Sequence, residues 1–399
     1  MVYLQYMALV VKISRRQSVL WILPEEYVVG EGEVKNMRVL ILYANTGRGY
    51  DSAARAIAEQ MEKLGMDYEI VDALHFISDT ASDFVSRWRT KIYKHFPRMF
   101  GMIYRYEEKH PPRFIYERCA RGADALAKKL EEGKYEAIVC VQLFAGMMLT
   151  EARLRYNITT PSYFVAPDYT CSAGISELRL DRYFVPHRLL FASFIRSMIP
   201  ADKMVATGIP VRSLFYEEME KAEARRMLGL PEEGKMVLVG CGSMGYGHLE
   251  RGSLMLRKKL PSDSYLVVLC GKNEKAYETL KPYESDRFFV IGFNDYIAEY
   301  MSAADLYITK PGAQTTGEAM AKKLPMIFIH AIPGYETRNF DFLIRQGVAT
   351  GAKNWKEVTH LACQALAKPE IPQAQVEAME RFVVPNAADV ICKHIMKGL

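Results

Sequence analysis

Short apolar runs alternate with stretches of helical periodicity in two successive series along this chain, and this alternation most limits how it can fold. The first series begins at Met37, and the second follows the tripeptide Gly208-Ile209-Pro210. Strands that alternate with helices form parallel sheets with helices on both faces. The sequence therefore predicts an α/β protein of two Rossmann-like, doubly wound domains that are joined near residue 208 and face each other across a cleft.

The apolar runs give the expected strands and the domain limits. In the first series the strands are expected at 38–43, 68–71, 137–141, 162–166 and 182–185. In the second they are expected at 236–239, 265–269, 288–291, 305–308 and 326–329, with a helix over 217–228 before them. The predicted domains are 37–207 and 208–375, followed by closing helices within 376–399 that pack back toward the N-terminal domain.

Residues 1–36 do not share this regular pattern. Basic residues follow the short apolar run at the start, whereas a signal peptide places them before it. Gly30-Glu31-Gly32-Glu33 is what a purine-rich ribosome-binding site spells when translated, and it lies a few codons before Met37. We therefore expect the native product to begin at Met37. A species beginning at Met1 in the intact mass of the natively expressed protein would contradict this.

The composition argues against several classes of protein. With 50% hydrophobic and 25% charged residues, the chain has the balance of a globular protein. No run reaches the ~18 apolar residues of a transmembrane helix, so a membrane role has to be peripheral. The seven cysteines show no CxxC spacing. They indicate free thiols in a reducing compartment and argue against a structural zinc site.

The stretch from Lys310 to Asn339 reads as a loop, a helix, a buried strand and a second loop. Pro311-Gly312 ends the preceding strand, and Thr315 or Thr316 is expected to cap the helix with Glu318 in its first turn. A helix N-terminus after a glycine loop suits a phosphate. The second loop is expected to present Glu336 and Asn339 to sugar hydroxyls. An ordinary strand–helix–strand crossover remains the alternative.

Two glycine loops could each hold a nucleotide. Gly240-Cys241-Gly242-Ser243-Met244-Gly245 follows a strand and matches the dinucleotide pattern GxGxxG. The next strand lacks the acid that would bind a ribose, so this match is weak. The first loop, Gly47-Arg48-Gly49, lacks the third glycine, although Asp72 ends its second strand. An NAD-dependent enzyme stays open on these loops, whereas a P-loop does not, because neither is followed by GKS or GKT.

Residues 87–121 are unusually basic and aromatic. They contain ten Lys or Arg residues against three Glu, and eight aromatic residues are interleaved with them. Such a segment fits the headgroup region of an anionic membrane, although RNA would also suit it. A solvated basic helix whose aromatic side chains pack on the core is the third possibility.

Two polar residues lie where parallel strands are expected to end. Asp168 follows the strand at 162–166, at a carboxyl edge where sites gather, and is a possible general base. A helix or turn cap is the alternative for this aspartate. His187 follows Val185-Pro186 and is the most suggestive of the eight histidines. The sequence shows neither a catalytic-triad signature nor an HExxH motif.

In the order of its motifs the chain resembles the lipid-sugar branch of the GT-B glycosyltransferases. That branch contains the plant monogalactosyldiacylglycerol synthases and the bacterial processive diacylglycerol glucosyltransferases. The resemblance covers essentially Met37 to the C-terminus. It rests on Thr46-Gly47-x-Gly49, Asp168-Tyr169-Thr170-Cys171, Asp181-x-Tyr183-Phe184-Val185-Pro186-His187, Thr207-Gly208-Ile209-Pro210-Val211, Gly242-Ser243-Met244-Gly245, Thr309-Lys310-Pro311-Gly312, Thr315-Thr316-x-Glu318-Ala319 and Ile332-Pro333-Gly334-x-Glu336-x-x-Asn339.

The resemblance implies a UDP-sugar donor site in the C-terminal half. The uracil would lie near the Gly292-Phe293 backbone, Glu318 would hold the ribose, and Ser243 with the Thr315/Thr316 helix start would meet the pyrophosphate. The donor-binding residues implied are Gly242, Ser243, Phe293, Gly312, Ala313, Thr315, Thr316, Glu318, Tyr335, Glu336 and Asn339. Backbone amides and helix dipoles hold the phosphate charge in this family, so the resemblance implies no metal and no cofactor.

The resemblance also places a lipid acceptor in the N-terminal half. The implied acceptor and membrane residues are Gly47, Gly49, Arg87, Trp88, Arg89, Lys91, Tyr93, Phe96 and Phe100. Related enzymes invert at the anomeric carbon, because a base deprotonates the acceptor and UDP is displaced in one step.

The chain departs from the family at the catalytic edge. The first loop normally ends in a histidine, and Tyr50 stands there. A tyrosine ordinarily titrates near about pH 10 and is a poor base at neutral pH. Asp51 and Asp168 are therefore the remaining candidates for the base, and Tyr50 stays with them among the expected catalytic residues. Ala313 replaces the usual second glycine, and Tyr335 replaces the usual glutamine before Glu336.

These observations predict a peripheral glycosyltransferase at the cytoplasmic face of the cell membrane. It would transfer a hexose from a UDP-sugar to a diacylglycerol-type lipid with inversion. UDP-sugar, lipid acceptor and an anionic membrane surface are the expected partners, and nucleic acid is not. A non-catalytic UDP-sugar or lipid-binding homologue would bind UDP without transfer. An NAD(P)-dependent oxidoreductase would be stabilised by nicotinamide cofactor and not by UDP.

Overall fold

The computed structural model describes residues 37–398, except positions 46, 79, 82–95, 111–112, 246, 330 and 385. The expectations for residues 1–36 and for Arg87, Trp88, Arg89, Lys91 and Tyr93 fall outside the described residues. Within the described part, no helix is both long enough and apolar enough to cross a membrane.

The first half of the described chain builds one parallel sheet. Its strands are β1 (Arg38–Tyr43), β2 (Asp67–Asp72), β3 (Ala137–Cys140), β4 (Ser162–Val165), β5 (Arg182–Val185) and β6 (Met204–Ala206), in the order β2-β1-β3-β4-β5-β6. Every neighbouring pair is parallel. The helices described in this half are α1 (Arg48–Lys63), α2 (Pro97–Glu107), α3 (Arg113–Ala120), α4 (Ala123–Gly133), α5 (Leu143–Tyr156) and α6 (Phe191–Arg196).

The second half builds another parallel sheet. Its strands are β7 (Lys235–Gly240), β8 (Ser264–Gly271), β9 (Phe288–Gly292), β10 (Leu306–Thr309), β11 (Met326–Phe328) and β12 (Thr350–Gly351), in the order β12-β11-β10-β7-β8-β9. The helices are α7 (Lys221–Met227), α8 (Leu249–Arg257), α9 (Glu274–Leu280), α10 (Ile297–Ala303), α11 (Ala313–Ala321), α12 (Tyr335–Arg345), α13 (Trp355–Ala367), α14 (Glu370–Phe382) and α15 (Ala387–Lys397).

The strands are buried because helices cover both faces of each sheet. All four residues of β3 and all four of β4 are buried, as the continuous apolar runs predict for a parallel sheet. The last helix belongs to the first sheet's core, since Ile391 and Ile395 of α15 pack in one cluster with Val39 and Ile57. The Gln60 amide also donates a hydrogen bond of 2.9 Å to Asp389 in that helix.

The prediction of two doubly wound α/β halves is confirmed, with local corrections. Two edge strands, β6 and β12, are missing from the prediction because they are only 3 and 2 residues long and show no apolar periodicity. The helix expected at 217–228 is shorter, because α7 covers only Lys221–Met227. The loop expected through Tyr50 is wrong in its second part, since α1 begins at Arg48 with Gly47 as its N-cap.

Candidate active site

The order of the second sheet reverses between β7 and β10, which lie side by side with Val239 opposite Ile308. In an open parallel sheet, ligands bind outside the carboxyl ends of the strands at such a reversal. The two loops that leave this point are residues 241–245, after β7, and residues 310–312, after β10. The fold therefore brings together the loop of Gly242 and the loop of Gly312, which are 70 positions apart in the sequence and are the two glycine loops of the expected donor site.

The loop after β7 depends on its glycines. Gly242 and Gly245 have φ values of 76° and 55°, in the left-handed region where glycine is favoured. A Cβ at Gly245 would overlap the carbonyl oxygen of Cys270, and the Lys272 amide donates a 2.8 Å hydrogen bond to the Ser243 carbonyl. The loop is thus pressed against the end of β8, and its other side faces Lys310.

A buried ion pair joins the loop after β10 to helix α12. The Lys310 ammonium pairs with Glu336, whose side chain is only 1% exposed. The second carboxylate oxygen of Glu336 accepts a 2.9 Å hydrogen bond from the Ile332 amide. Burial alone would lower the pKa of Lys310, but the Glu336 carboxylate outweighs it and the pKa is raised. Lys310 therefore remains an ammonium at physiological pH.

Glu336 and Asn339 lie on helix α12, so the expectation that they belong to a loop is wrong. Gly334, with φ of 112°, makes the sharp entry that allows the helix to begin at Tyr335. Residues three apart on a helix share a face. Both side chains consequently point inward, where Glu336 is 1% and Asn339 is 0% exposed.

Asn339 connects the two halves of the molecule. Its side-chain amide donates to Asp168 Oδ1 at 2.8 Å and to the Pro311 carbonyl at 3.3 Å. Asp168 follows β4 in the first sheet, and Pro311 follows β10 in the second. The aspartate is 7% exposed, so its carboxylate is held at the junction and not in open solvent.

Helix α11 begins earlier than the sequence predicts. Gly312 is the N-cap, and the helix runs from Ala313, which places Thr315 in the first turn and Glu318 in the second. Neither threonine caps the helix, because Thr316 Oγ1 instead donates a 2.8 Å hydrogen bond back to the Gly312 carbonyl, as buried threonines in helices often do. The half-buried Thr315 stays beside the helix N-terminus.

Glu318 lies where α11 meets α1 of the other half. Its Oε1 accepts hydrogen bonds from Gln314 Nε2 at 3.3 Å and from Ser52 Oγ at 3.4 Å. The side chain is 8% exposed, and burial raises the pKa of Glu318 to about 7. Both bonds are at the long end of the normal range, so this carboxylate has capacity for stronger partners.

The start of α1 forms the opposite wall of the cleft. A Cβ at Gly49 would lie 3.3 Å from Gln314 Cβ, so the two helices approach closely here. The Arg48 guanidinium stacks 4.4 Å above the Phe293 ring, beside the end of β9. Asp51 is engaged along its own helix, because Oδ2 accepts a 2.9 Å hydrogen bond from Arg55.

Helix α2 covers the loop that enters α12. A Cβ at Gly101 would lie 2.5 Å from Pro333 Cβ, and a Cβ at Gly334 would lie 2.9 Å from Tyr104 Cγ. Glu108, just after the helix, pairs with Arg338 at 2.8 Å. The Tyr335 ring packs edge-on against Phe100 and Tyr104, each with centroids 6.4 Å apart. The basic segment of the sequence thus contacts the sugar side of the expected donor site.

The opposite face of α2 is apolar and exposed. Its large side chains, with their exposed fractions, are Phe96 (58%), Met99 (40%), Met102 (58%), Ile103 (42%) and Tyr106 (65%). The helix therefore has two apolar faces. One apolar face packs on residues 333–335, and the other meets the surroundings of the protein.

His187 lies apart from this cluster. Its Nδ1 accepts a 3.2 Å hydrogen bond from the Leu189 amide, and its ring stacks on Phe382 with centroids 4.5 Å apart. Burial lowers the pKa of His187 to about 4, so the ring is neutral at physiological pH. The geometry gives this histidine a packing and capping role.

Most of the expected donor residues surround the ends of β7, β9 and β10, and Asp168 joins them from the other half. Lys310 lies in one of the motifs of the sequence, which by itself predicts no role for it. The only sequence signal for it is its place directly after a buried strand, next to a glycine. The sequence likewise predicts no role for Tyr104, which packs against Gly334, beyond its place among the aromatic residues of the basic segment.

Two doubly wound halves with a site at the strand ends of the second sheet are the GT-B architecture. The monogalactosyldiacylglycerol (MGDG) synthase model matches residues 50–211, and the glycosyltransferase family 28 C-terminal domain matches residues 236–337. The chain is therefore a UDP-sugar glycosyltransferase that is similar to the MGDG synthases in its first half and to the family 28 glycosyltransferases in its second. This assigns the GxGxxG loop to a glycosyltransferase and not to an oxidoreductase.

Relatives match over nearly the whole chain. The processive diacylglycerol beta-glucosyltransferase of Bacillus subtilis (strain 168) is 26% identical over 370 residues, which cover 91% of this chain and 95% of that protein. The same enzyme of Bacillus cereus (strain ZK / E33L) is 27% identical over 368 residues, covering 91% and 94%.

Solved structures support the fold. Acinetobacter baumannii MurG superposes with a TM-score of 0.61 at 17% identity, covering 90% of this chain and 99% of that chain. The glycosyltransferase of kitacinnamycin gives a TM-score of 0.64 at 12% identity, covering 91% and 99%. The Staphylococcus aureus MnaA–UDP structure gives 0.60 at 14% identity, covering 90% and 96%.

Proposed function

We propose that this glycosyltransferase moves a hexose from a UDP-sugar to the free hydroxyl of diacylglycerol or a closely related lipid at a membrane surface, with inversion. The observation that carries the proposal is the contact of α2 with residues 333–335. The helix with an exposed apolar face lies directly against the side of the site where the sugar is expected. The curated relatives named above are diacylglycerol glucosyltransferases, which agrees with that arrangement.

In this proposal the donor lies along the strand ends of the second sheet. Glu318 receives the ribose hydroxyls, because a buried carboxylate is a strong acceptor for a pair of hydroxyl groups. The diphosphate lies between Ser243 and the first turn of α11, whose free amides and dipole favour an anion. The hexose then extends toward Glu336 and Asn339, and Asn339 is hydrogen-bonded to Asp168.

The reaction is a single displacement. The acceptor oxygen attacks the anomeric carbon, the bond from that carbon to the UDP oxygen breaks, and the acceptor proton passes to a base. Among the candidates, the geometry favours Asp168 as base, because it is hydrogen-bonded to Asn339, one of the α12 side chains expected to meet the sugar. Asp51 is less suited, since it pairs with Arg55. Attack from the face opposite the leaving UDP inverts the anomeric configuration.

Incubation of the full-length protein with a mixture of UDP-sugars and diacylglycerol-containing vesicles tests this function. We expect UDP release together with a lipid whose mass has increased by one hexose. Neither product with any donor, despite measurable UDP binding, would overturn catalysis and favour the non-catalytic homologue. The departure at Tyr50 makes that comparison necessary.

Membrane association through α2 has its own test. Met102→Asp combined with Ile103→Asp is expected to lower partitioning onto phosphatidylglycerol-containing vesicles by at least about tenfold. Each apolar side chain moved out of water contributes about 1.5–3 kcal/mol, and a carboxylate reverses that contribution. Vesicle co-sedimentation measures the effect.

A matched control comes from the other half. Met227 on α7 is 54% exposed, similar to Met102, so Met227→Asp is compared with Met102→Asp alone, which introduces the same charge on a comparable surface. We expect it to sediment with vesicles like the unmodified protein. If the α2 variant also sediments normally, or if both variants lose binding equally, α2 is not the membrane contact.

A further inference from the structure

The Lys310 side chain lies between the two glycine loops of the donor site. Its Cε lies 3.0 Å from where a Cβ of Gly242 would be, and its Nζ lies 3.2 Å from where a Cβ of Gly312 would be. The side chain is 19% exposed, so it is neither solvated nor sealed in the core. Any larger residue at either glycine would occupy the space that the ammonium faces.

The ammonium has unused hydrogen-bonding capacity. Within the described residues, Lys310 Nζ donates a hydrogen bond to Glu336 Oε1. An ammonium carries three N–H donors and accepts none. Because Glu336 is itself fixed by the Ile332 amide, the pair holds Nζ in place while leaving donors for a ligand between the loops.

The charges around this point require a cation if an anion is to bind. Glu336 and Asp168 both act electrostatically on Lys310. A diphosphate adds about two further negative charges close to these carboxylates, and the α11 dipole offsets only about half of one charge. Repulsion from the carboxylates would oppose binding unless the lysine lay between them and the phosphates.

We propose that Lys310 is the cation that binds the donor diphosphate and stabilises the charge of the departing UDP. As the bond from the anomeric carbon to the UDP oxygen breaks, negative charge grows on the phosphate, and a positioned ammonium stabilises it without reorganisation. Glu336 is then a positioning residue for Lys310 as well as a neighbour of the sugar. The proposal rests on the proposed function, because it assumes that the donor is a nucleoside diphosphate sugar.

A purely structural role makes a different prediction. If Lys310 only neutralised the buried Glu336, removing both charges together would restore the site. If Lys310 binds phosphate, the doubly neutral site stays defective toward phosphate. The variants are therefore Lys310→Met alone and Lys310→Met combined with Glu336→Gln.

Calorimetric titration with uridine, UMP and UDP separates these roles. Uridine lacks phosphate and reports on the nucleoside site alone. We expect both variants to bind uridine within twofold of the unmodified protein and to bind UDP at least tenfold more weakly. Lys323→Met is the matched control, because Lys323 also pairs with a glutamate, Glu380, at 2.6 Å but on the surface. It should change neither affinity.

The opposing results are equally specific. Normal UDP affinity in the double variant would overturn the proposal and leave Lys310 a structural role. Equal loss of uridine and UDP affinity would also overturn it, since the phosphate would then contribute nothing particular. If the unmodified protein bound neither ligand, the donor site itself would be contradicted, which is a failure of the proposed function and not of this inference alone.

Discussion

We expect Asp168→Asn to lower kcat for sugar transfer by about 100-fold to 10,000-fold while UDP affinity stays within twofold. A general base contributes about that factor, and an amide cannot take the acceptor's proton. The substitution keeps the shape of the side chain and an oxygen that accepts from Asn339 Nδ2. Initial rates at saturating donor and lipid, together with UDP titration, measure the two quantities separately.

Asp51→Asn is the matched control for this experiment. Asp51 is the other aspartate among the candidate bases, and its carboxylate pairs with Arg55 on the surface of α1. We expect a change in kcat of less than about threefold, since surface ion pairs contribute little. A large loss in Asp51→Asn with normal turnover in Asp168→Asn would move the base to α1 and contradict our assignment.

Glu318→Ala is expected to weaken uridine binding by at least about tenfold without unfolding the protein. A hydrogen bond to a charged acceptor contributes about 1.5–3 kcal/mol, and a ribose offers two hydroxyls. Uridine titration measures the effect, and a thermal melt checks the fold. Glu299→Ala, on α10, serves as a glutamate control away from the strand ends. Unchanged uridine affinity in the Glu318 variant would remove the ribose assignment.

The same carboxylate predicts a dependence on pH. Burial raises the pKa of Glu318 to about 7, so the group is mostly protonated below that pH and ionised above it. Because the ionised form is the stronger acceptor, uridine affinity should increase from about pH 6 to pH 8. Uridine itself does not ionise in this range. Glu318→Gln should bind uridine with the same affinity at both pH values, and an equal rise in that variant would exclude Glu318 as the cause.

Protein stability should change in the opposite direction. The pKa of Glu318 is raised in the folded state above its ordinary value of 4.5, so folding favours the protonated form. The stability that this group contributes is full below about pH 4.5 and is lost as the pH rises through about 7. Without ligand, the unmodified protein should therefore lose stability over this range relative to Glu318→Gln, as thermal melts would show.

Much of the fold follows from pattern alone. The strands at 38–43 and 182–185 match the structure to the residue, because buried parallel strands are continuous apolar runs. The short edge strands β6 and β12 cannot be predicted in this way, because they contain few residues and form only by pairing with a neighbouring strand. The start of α1 at Arg48 is not predicted for another reason. Gly47 and Gly49 indicate a loop in the sequence, although a glycine can also lie within a helix.

The site divides in a similar way. Glycine loops, a helix after a strand and the Glu318 position are local features, and their order in the chain indicated the glycosyltransferase family. The hydrogen bond from Asn339 to Asp168 joins residues 171 positions apart. The packing of α2 on residues 333–335 depends on Gly101 and Gly334, which lie in different halves of the chain. No local pattern reports such contacts.

The sequence by itself determined that this protein has two doubly wound halves, because hydrophobic periodicity and backbone requirements act over a few residues. The order of its motifs indicated a donor side in the second half through the family resemblance. Only the tertiary structure decided which side chains meet at the cleft. It favours Asp168 over Asp51 as the proposed base, puts Glu336 and Asn339 on a helix, and places Lys310 between the two glycine loops. The physical reason is that burial, pKa and ion pairing depend on atoms that the fold brings together in space. No local sequence pattern records which distant residues meet.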